Sequence, residues 1–138
     1  MKRRQAISIF ALLVLLIGLV ACSTSAETLP DQSISPTDFK RLLERHQGDP
    51  DVVLLDIRTP REFKAGYIEG ARLLDYYSSD FVDRLKTLDR DKTYLVYCRS
   101  GNRSGRSLAI FNQLGFQQTF HLETGIRGWS QERYPVVQ

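Results

Sequence analysis

The chain is expected to fold as a single α/β domain, an open parallel sheet flanked by helices on both faces. Two short β-prone runs, at residues 52–55 and 93–97, suit strands buried on both sides. Segments with apolar residues at helical spacing lie before, between and after them. Strands and helices therefore alternate along the chain, the pattern of a parallel sheet with helical crossovers.

The folded part is expected to begin at Ser35. Ser35-Pro36-Thr37-Asp38 puts a hydroxyl at an N-cap, Pro at the first helical position and an acid at the third. Phe39, Leu42, Leu43 and His46 follow at helical spacing, and Gly48 is a stop. The first buried strand is Val52-Val53-Leu54-Leu55. Thr59-Pro60 opens a short helix over residues 59–64 that Gly66 ends. Residues 71–74 form a weaker strand, and residues 80–88 a helix carrying Phe81, Leu85 and Leu88. The second buried strand covers residues 93–97. A helix over residues 104–114 follows, with Leu108, Ile110, Phe111 and Leu114, and ends at Gly115. Residues 119–122 read as the last strand and residues 126–134 as the last helix, stopped by Pro135.

Residues 1–21 are expected to stand outside the fold. Lys2, Arg3 and Arg4 form a basic head, an apolar run follows from Ala6 to Val20, and Leu19-Val20-Ala21-Cys22 closes it. That is the layout of a signal peptide. The last four residues resemble the lipobox of bacterial lipoproteins, which implies acylation of Cys22 and removal of residues 1–21. The alternative is an uncleaved anchor helix, for which the apolar run is short against the roughly 20 residues a span needs. Both readings place the remainder outside the cytoplasm, facing the periplasm or the cell exterior. Residues 22–34, small and polar, are expected to be a tether from the membrane, and residues 35–138 the domain.

Removing 21 of 138 residues leaves 117, enough for one core. The segment holds three of the 19 basic residues and no acid, so 16 basic residues face 16 acidic ones in what remains. The basic character belongs to the targeting peptide and is no argument for nucleic acid. Cys22 and Cys98 are the only cysteines. With Cys22 acylated, Cys98 has no partner in the chain, which is unusual for an oxidising compartment.

The residues around Cys98 give that thiol a chemical setting. Cys98-Arg99-Ser100-Gly101-Asn102-Arg103-Ser104-Gly105 joins a strand to a helix, at the sheet edge where open α/β folds bind ligands. A loop entering a helix N-terminus presents backbone N–H groups and a positive dipole end to anions. Arg99 and Arg103 add permanent charge. An ordinary Cys, with a pKa of about 8.5, is roughly 3% ionised at neutral pH. Helix N-termini and nearby cations bring reactive cysteines to about 3.5–7.5. His46 falls on a helix face and reads as a surface residue. His121 lies near a strand end that reaches the ligand edge, without an expected catalytic role, so a Cys–His hydrolase is disfavoured. No Cys, His and acid cluster has metal-ligand spacing, and no Gly-rich nucleotide motif is present; no cofactor is expected.

Three blocks resemble the rhodanese family. Leu54-Leu55-Asp56-Ile57-Arg58-Thr59-Pro60-Arg61-Glu62-Phe63 with Gly66-Tyr67-Ile68-Glu69-Gly70-Ala71 resembles its opening motif. Tyr94-Leu95-Val96-Tyr97-Cys98-Arg99-Ser100-Gly101-Asn102-Arg103-Ser104 resembles its active-site loop, and Leu122-Glu123-Thr124-Gly125-Ile126-Arg127-Gly128-Trp129 its closing motif. The resemblance implies a sulfurtransferase in which Cys98 carries sulfur as a persulfide. Arg99, Ser100, Gly101, Asn102, Arg103 and Ser104 would bind a small anionic donor such as thiosulfate, and a thiol or cyanide would accept the sulfur. Asp56, Arg58 and Glu62 are expected to form an ion-pair and capping network that supports the turn after the first buried strand. A monomer is expected.

Two departures from the family pattern are Tyr67, where many relatives have His, and Thr124, where many have Gly; Thr124 is expected to strain a tight turn. A phosphatase or arsenate reductase on the same fold is the first rival. Tyrosine phosphatases place Arg six positions after Cys, where this chain has Ser104, and Arg103 comes one residue earlier. The second rival is an exported binding or thiol-redox module in which catalysis is secondary.

Overall fold

The computed structural model describes residues 32–138. Cys22, the expected signal peptide and nearly all of the expected tether lie outside the described residues. In chain order the elements are β1 (Ser33–Ile34), α1 (Pro36–Arg45), β2 (Val52–Asp56), α2 (Pro60–Lys64), β3 (Arg72–Leu73), α3 (Phe81–Lys86), β4 (Thr93–Tyr97), α4 (Asn102–Gln113), β5 (Gln118–Leu122) and α5 (Gly125–Gln131). The five strands form one sheet in the order β1-β5-β4-β2-β3, and every pairing is parallel.

Helices α1 and α2 start at caps that the sequence spells out. Ser35 accepts from the Asp38 N–H, with Pro36 at the first helical position. At α2, Thr59 and Glu62 form a reciprocal capping box, Thr59 Oγ1 accepting from the Glu62 N–H and Glu62 Oε2 from the Thr59 N–H.

β2 and β4 are paired along their full length, Leu54 level with Leu95 and Asp56 with Tyr97. Their alternating side chains divide the core into two layers. Leu55, Tyr94 and Val96 pack with Phe81 and Leu85 of α3, Phe111 of α4 and Phe116. Leu54, Leu95 and Tyr97 pack with Phe39 of α1 and with Ile126 and Trp129 of α5. Helices thus cover both faces, as the sequence predicts.

Three boundaries differ from the sequence reading. Ser33 and Ile34, at the end of the expected tether, are an edge strand level with His121 and Leu122 of β5. Their propensity is unremarkable; only the open edge of β5 makes them a strand. The helix after Cys98 starts at Asn102, two residues early, because Gly101 at φ +88 turns the chain directly into α4. The last helix ends at Gln131, where Arg133 adopts φ +59. The chain then folds back: the Trp129 indole donates to the Pro135 carbonyl at 2.8 Å, and Val137 bridges to Tyr67.

Topology selects the ligand edge. After β2 the chain steps outward to β3, then returns to the other side of β2 for β4 and β5. The loops following β2 and β4 therefore part at their carboxyl ends, opening a crevice at the switch point. The stiffness of that edge depends on the layer beneath it, where the Phe111 ring meets Tyr94 and Phe116 at centroid distances of 6.0 and 4.9 Å. Phe111→Ala should cost about 3–5 kcal/mol of stability in urea unfolding, through lost burial plus a residual cavity.

Candidate active site

Cys98 follows the last residue of β4 and is buried, 1% exposed. The chain then wraps around its sulfur. The Gly101 N–H donates to Sγ at 3.2 Å, and the Ser104 hydroxyl lies 3.5 Å from it. Burial works against the thiolate and is the largest single influence on it. The Ser104 hydroxyl and the N–H groups of Ser104, Ser100 and Arg103 together outweigh it, so the Cys98 pKa falls below its ordinary value. The donors around the sulfur are thus mostly backbone amides, at the start of a 12-residue helix.

Two glycines make this wrapping possible. Gly101 has φ +88, and a Cβ there would stand 1.8 Å from the Glu123 carbonyl oxygen. Gly125 has φ +60, and its Cβ would stand 2.5 Å from Arg99 C and Ser100 N. The loop and the turn before α5 are also joined by hydrogen bonds, Ile126 N–H to the Cys98 carbonyl at 2.9 Å and Arg127 N–H to the Arg99 carbonyl at 3.1 Å. Thr124 does not strain this turn. Its φ of −100 is ordinary backbone, and its side chain lies over Gly128. Tyr67 stacks on Phe63 with centroids 4.1 Å apart.

The acidic and basic residues sort into two clamps. Asp56, fully buried, accepts from the Arg58 backbone N–H and from its guanidinium, with Nη2 at 2.6 Å. Nη2 also donates to the Gly66 carbonyl at 2.7 Å. Burial opposes the Arg58 charge, but the Asp56 bonds prevail and hold its pKa above the usual value. This pair ties the β2 turn to the chain after α2.

The second clamp is made by Arg103. Its Nη1 and Nη2 donate to the two Glu62 carboxylate oxygens at 2.9 and 2.8 Å. Its carbon Cζ also lies 5.4 Å from the Tyr77 ring centroid. The guanidinium is largely spent as a strut from α4 to α2, although it still feels the Cys98 charge. Sequence could not show this, because the partners are 41 residues apart. Glu62 therefore does more than cap α2.

Arg99 and Arg127 remain beside the loop, lining a cavity of about 490 Å³ with Arg58, Glu62, Ile126 and Val136. Ser100 and Asn102 are exposed on the loop. The residue that sequence reasoning set aside is His121, which the structure brings to Ser104, its Nδ1 lying 3.2 Å from Oγ. Its position near the end of β5 was the available signal. Among the described residues no group of His, Cys, Asp and Glu is placed to hold a metal ion.

Residues 35–132 match the description "Rhodanese-like domain". The chain belongs to the rhodanese-like family. Curated relatives include a sulfurtransferase of Allochromatium vinosum, 33% identical over 104 residues, covering 75% of this chain and 95% of that protein. The thiosulfate sulfurtransferase GlpE of Pseudomonas aeruginosa is 33% identical over 98 residues, covering 71% and 83%. A probable adenylyltransferase/sulfurtransferase, MoeZ of Mycobacterium tuberculosis, is 28% identical over 116 residues, and this chain spans 29% of its length. Among solved structures, a rhodanese-related protein of Thermoplasma volcanium superposes with a TM-score of 0.65 at 33% identity, covering 76% of this chain and 96% of that one. A rhodanese-like domain of Anabaena shares the fold with a TM-score of 0.66 at 23% identity.

The Glu62–Arg103 strut gives the rhodanese-like loop a pH dependence. The Arg103 bonds, helped by Thr59 against the cost of burial, pull the Glu62 pKa from 4.5 to about 2. A folded-state pKa below the unfolded one means stability that is fully present above about pH 4.5 and lost as pH falls toward 2. Glu62→Gln keeps the capping geometry and removes the charge. It should destabilise the chain near neutral pH by on the order of 1–2 kcal/mol. The gap to wild type should close between about pH 4.5 and pH 2, as read by urea unfolding across that window.

Proposed function

We propose that this protein is a sulfurtransferase that moves a sulfane sulfur from a small anionic donor, such as thiosulfate, to a thiophilic acceptor through a persulfide on Cys98. The observation that carries this reading is the thiol at the N-terminus of α4, its pKa depressed by amide and hydroxyl donors aimed at the sulfur. The sulfurtransferase names of the relatives support it.

In the first half-reaction the Cys98 thiolate attacks the outer sulfur of thiosulfate. A new S–S bond forms at Cys98, the donor's S–S bond breaks, and its electron pair leaves with sulfite. The enzyme then holds a persulfide anion. In the second half-reaction cyanide or a thiolate attacks the outer sulfur, and the Cys98 thiolate returns as leaving group. No oxidant or reductant is consumed. The loop's N–H groups serve both anions, thiolate and persulfide, because each carries its charge at the helix start. Arg99, exposed beside the loop, supplies charge toward the donor, with Arg127 next to it across the shared cavity. A tetrahedral phosphate would need a wider loop with Arg at the sixth position after Cys98, where this chain has Ser104.

Cys98→Ser should abolish thiosulfate-dependent sulfur transfer while the chain remains folded. After treatment with thiosulfate, intact-mass measurement should show the wild type heavier by one sulfur and the variant unchanged. Activity within tenfold of wild type in Cys98→Ser would remove the nucleophile assignment, and oxygen in place of sulfur on Cys98 would favour thiol-redox work.

We also propose that the protein is exported and anchored as a lipoprotein, on the strength of the basic head, apolar run and Leu19-Val20-Ala21-Cys22. Among the described residues no helix is long and apolar enough to cross a membrane. In cells the wild type should partition with membranes and carry an acylated N-terminal Cys22, and Cys22→Ala should lose both lipid and processing. A mature N-terminus elsewhere, without lipid, would refute the anchor.

A further inference from the structure

We propose that Cys98, Ser104 and His121 form a proton relay, in which the imidazole Nδ1 of His121 takes the thiol proton through the Ser104 hydroxyl. His121 is a positioning residue in this scheme, since it reaches the sulfur only through Ser104. The inference deepens the sulfur-transfer reading, because it says how the nucleophile of that reaction is charged.

The geometry is a continuous chain of three groups. Ser104 Oγ lies 3.5 Å from Cys98 Sγ and 3.2 Å from His121 Nδ1. All three residues are buried, with Ser104 fully enclosed and His121 7% exposed. The imidazole is held in place by close packing. A Cβ on Gly105, the residue after Ser104, would stand 3.3 Å from the ring's Cε1. The first turn of α4 therefore rests directly on the ring.

A hydroxyl offers one proton and two lone pairs, so it bridges the chain in either of two states. With Cys98 as thiol, S–H donates to Ser104 Oγ and the Ser104 O–H donates to Nδ1. With Cys98 as thiolate, Nδ1–H donates to Oγ and the hydroxyl donates to the sulfur. Passing between them breaks the S–H bond and forms an N–H bond, while Ser104 loses one proton and gains another. A neutral thiol and imidazole become a thiolate and an imidazolium, and no heavy atom need move. The Gly101 carbonyl, 3.2 Å from Oγ, competes for the same hydroxyl proton. Charge on the sulfur favours the relay, because a bond to a charged acceptor is the stronger one.

The relay answers a need that the cradle leaves open. The amides stabilise the thiolate once formed, but a thiol that is 1% exposed has little direct access to water for its proton. Against the ring lie Ser104 and Gly105 of α4. Along the backbone, Val96 of β4 and Ser33 of β1 are level with His121, and the His121 backbone N–H donates to the Gln32 carbonyl. On its own chain Thr119 and Glu123 share its side-chain parity. Cys98, reached through Ser104, and Glu123 are the titratable groups in this set.

The test is the pH dependence of Cys98 alkylation by iodoacetamide in the full-length chain, with Cys98 and Cys22 peptides resolved by mass spectrometry. Gln in place of His121 keeps an amide in the site but takes no proton. His121→Gln should move the Cys98 titration up by about one pH unit, a tenfold smaller thiolate fraction on the acid side. Ser104→Ala should move it at least as far, Ser104→Thr should restore it, and the double variant should go no further than Ser104→Ala. An unmoved titration in His121→Gln, or full additivity with Ser104→Ala, would overturn the relay. Should His121→Gln fail to fold, ring titration of His121 by NMR decides the matter without altering it. Replacing the thiol by Cys98→Ser should lower the imidazole pKa, and an unchanged value would equally refute the relay. The pH midpoint of alkylation reads protonation and needs no sulfur donor, so these outcomes stand apart from the persulfide measurement that tests sulfur transfer itself.

Discussion

The backbone of residues 98–101 and that of residues 123–125 touch with no space for a side-chain carbon between them. A Cβ on Gly101 would enter the Glu123 carbonyl, and one on Gly125 would enter the peptide between Arg99 and Ser100. Two hydrogen bonds, from the Ile126 and Arg127 N–H groups to the Cys98 and Arg99 carbonyls, close the same seam. Because the loop is fixed on this side, its remaining N–H groups have one direction left, inward onto the sulfur. The pKa of Cys98 is in that sense a consequence of two glycines on opposite sides of a contact.

The charged clamps hold the other side of the loop. Arg58 and Asp56 lock the turn after β2 and reach the Gly66 carbonyl. Glu62 and Arg103 then tie α2 to the first turn of α4. Both pairs are hydrogen-bonded at both ends, which is what lets charges sit in buried or half-buried positions without a large net penalty. A division of labour follows. Arg103 supports the loop and lends the thiolate its field at a distance, whereas Arg99 and Arg127 stand at the cavity beside the loop.

The electrostatics of the site are therefore local and mostly made of dipoles. A single permanent cation against the sulfur would hold any anion there, whereas dipoles act only at their focus. Amide N–H groups at a helix start stabilise an anion at their focus without reorganisation, and in the proposed sulfur transfer they would serve thiolate and persulfide alike. The Ser104 hydroxyl fits the same logic, since it can turn its one proton toward the sulfur when charge is there and away when it is not.

Much of this protein was legible in its sequence because the determining interactions are short-range. The caps at Ser35 and Thr59, the buried runs of β2 and β4, and the strand–loop–helix around Cys98 each depend on residues within a few positions of one another. The helices on both faces follow from the alternation of those elements. What the tertiary structure decided is everything that joins residues far apart in the chain. Ser33 and Ile34 become a strand only because β5 presents an open edge. Arg103 turns to Glu62 rather than outward because α2 and α4 meet at the switch point of the sheet. His121, which looked remote from Cys98, lies against Ser104 because parallel pairing of β4 and β5 brings their carboxyl ends together. Spacing along a chain encodes helices, strands and turns through local sterics; contact across a sheet depends on register and packing, to which no local pattern gives access.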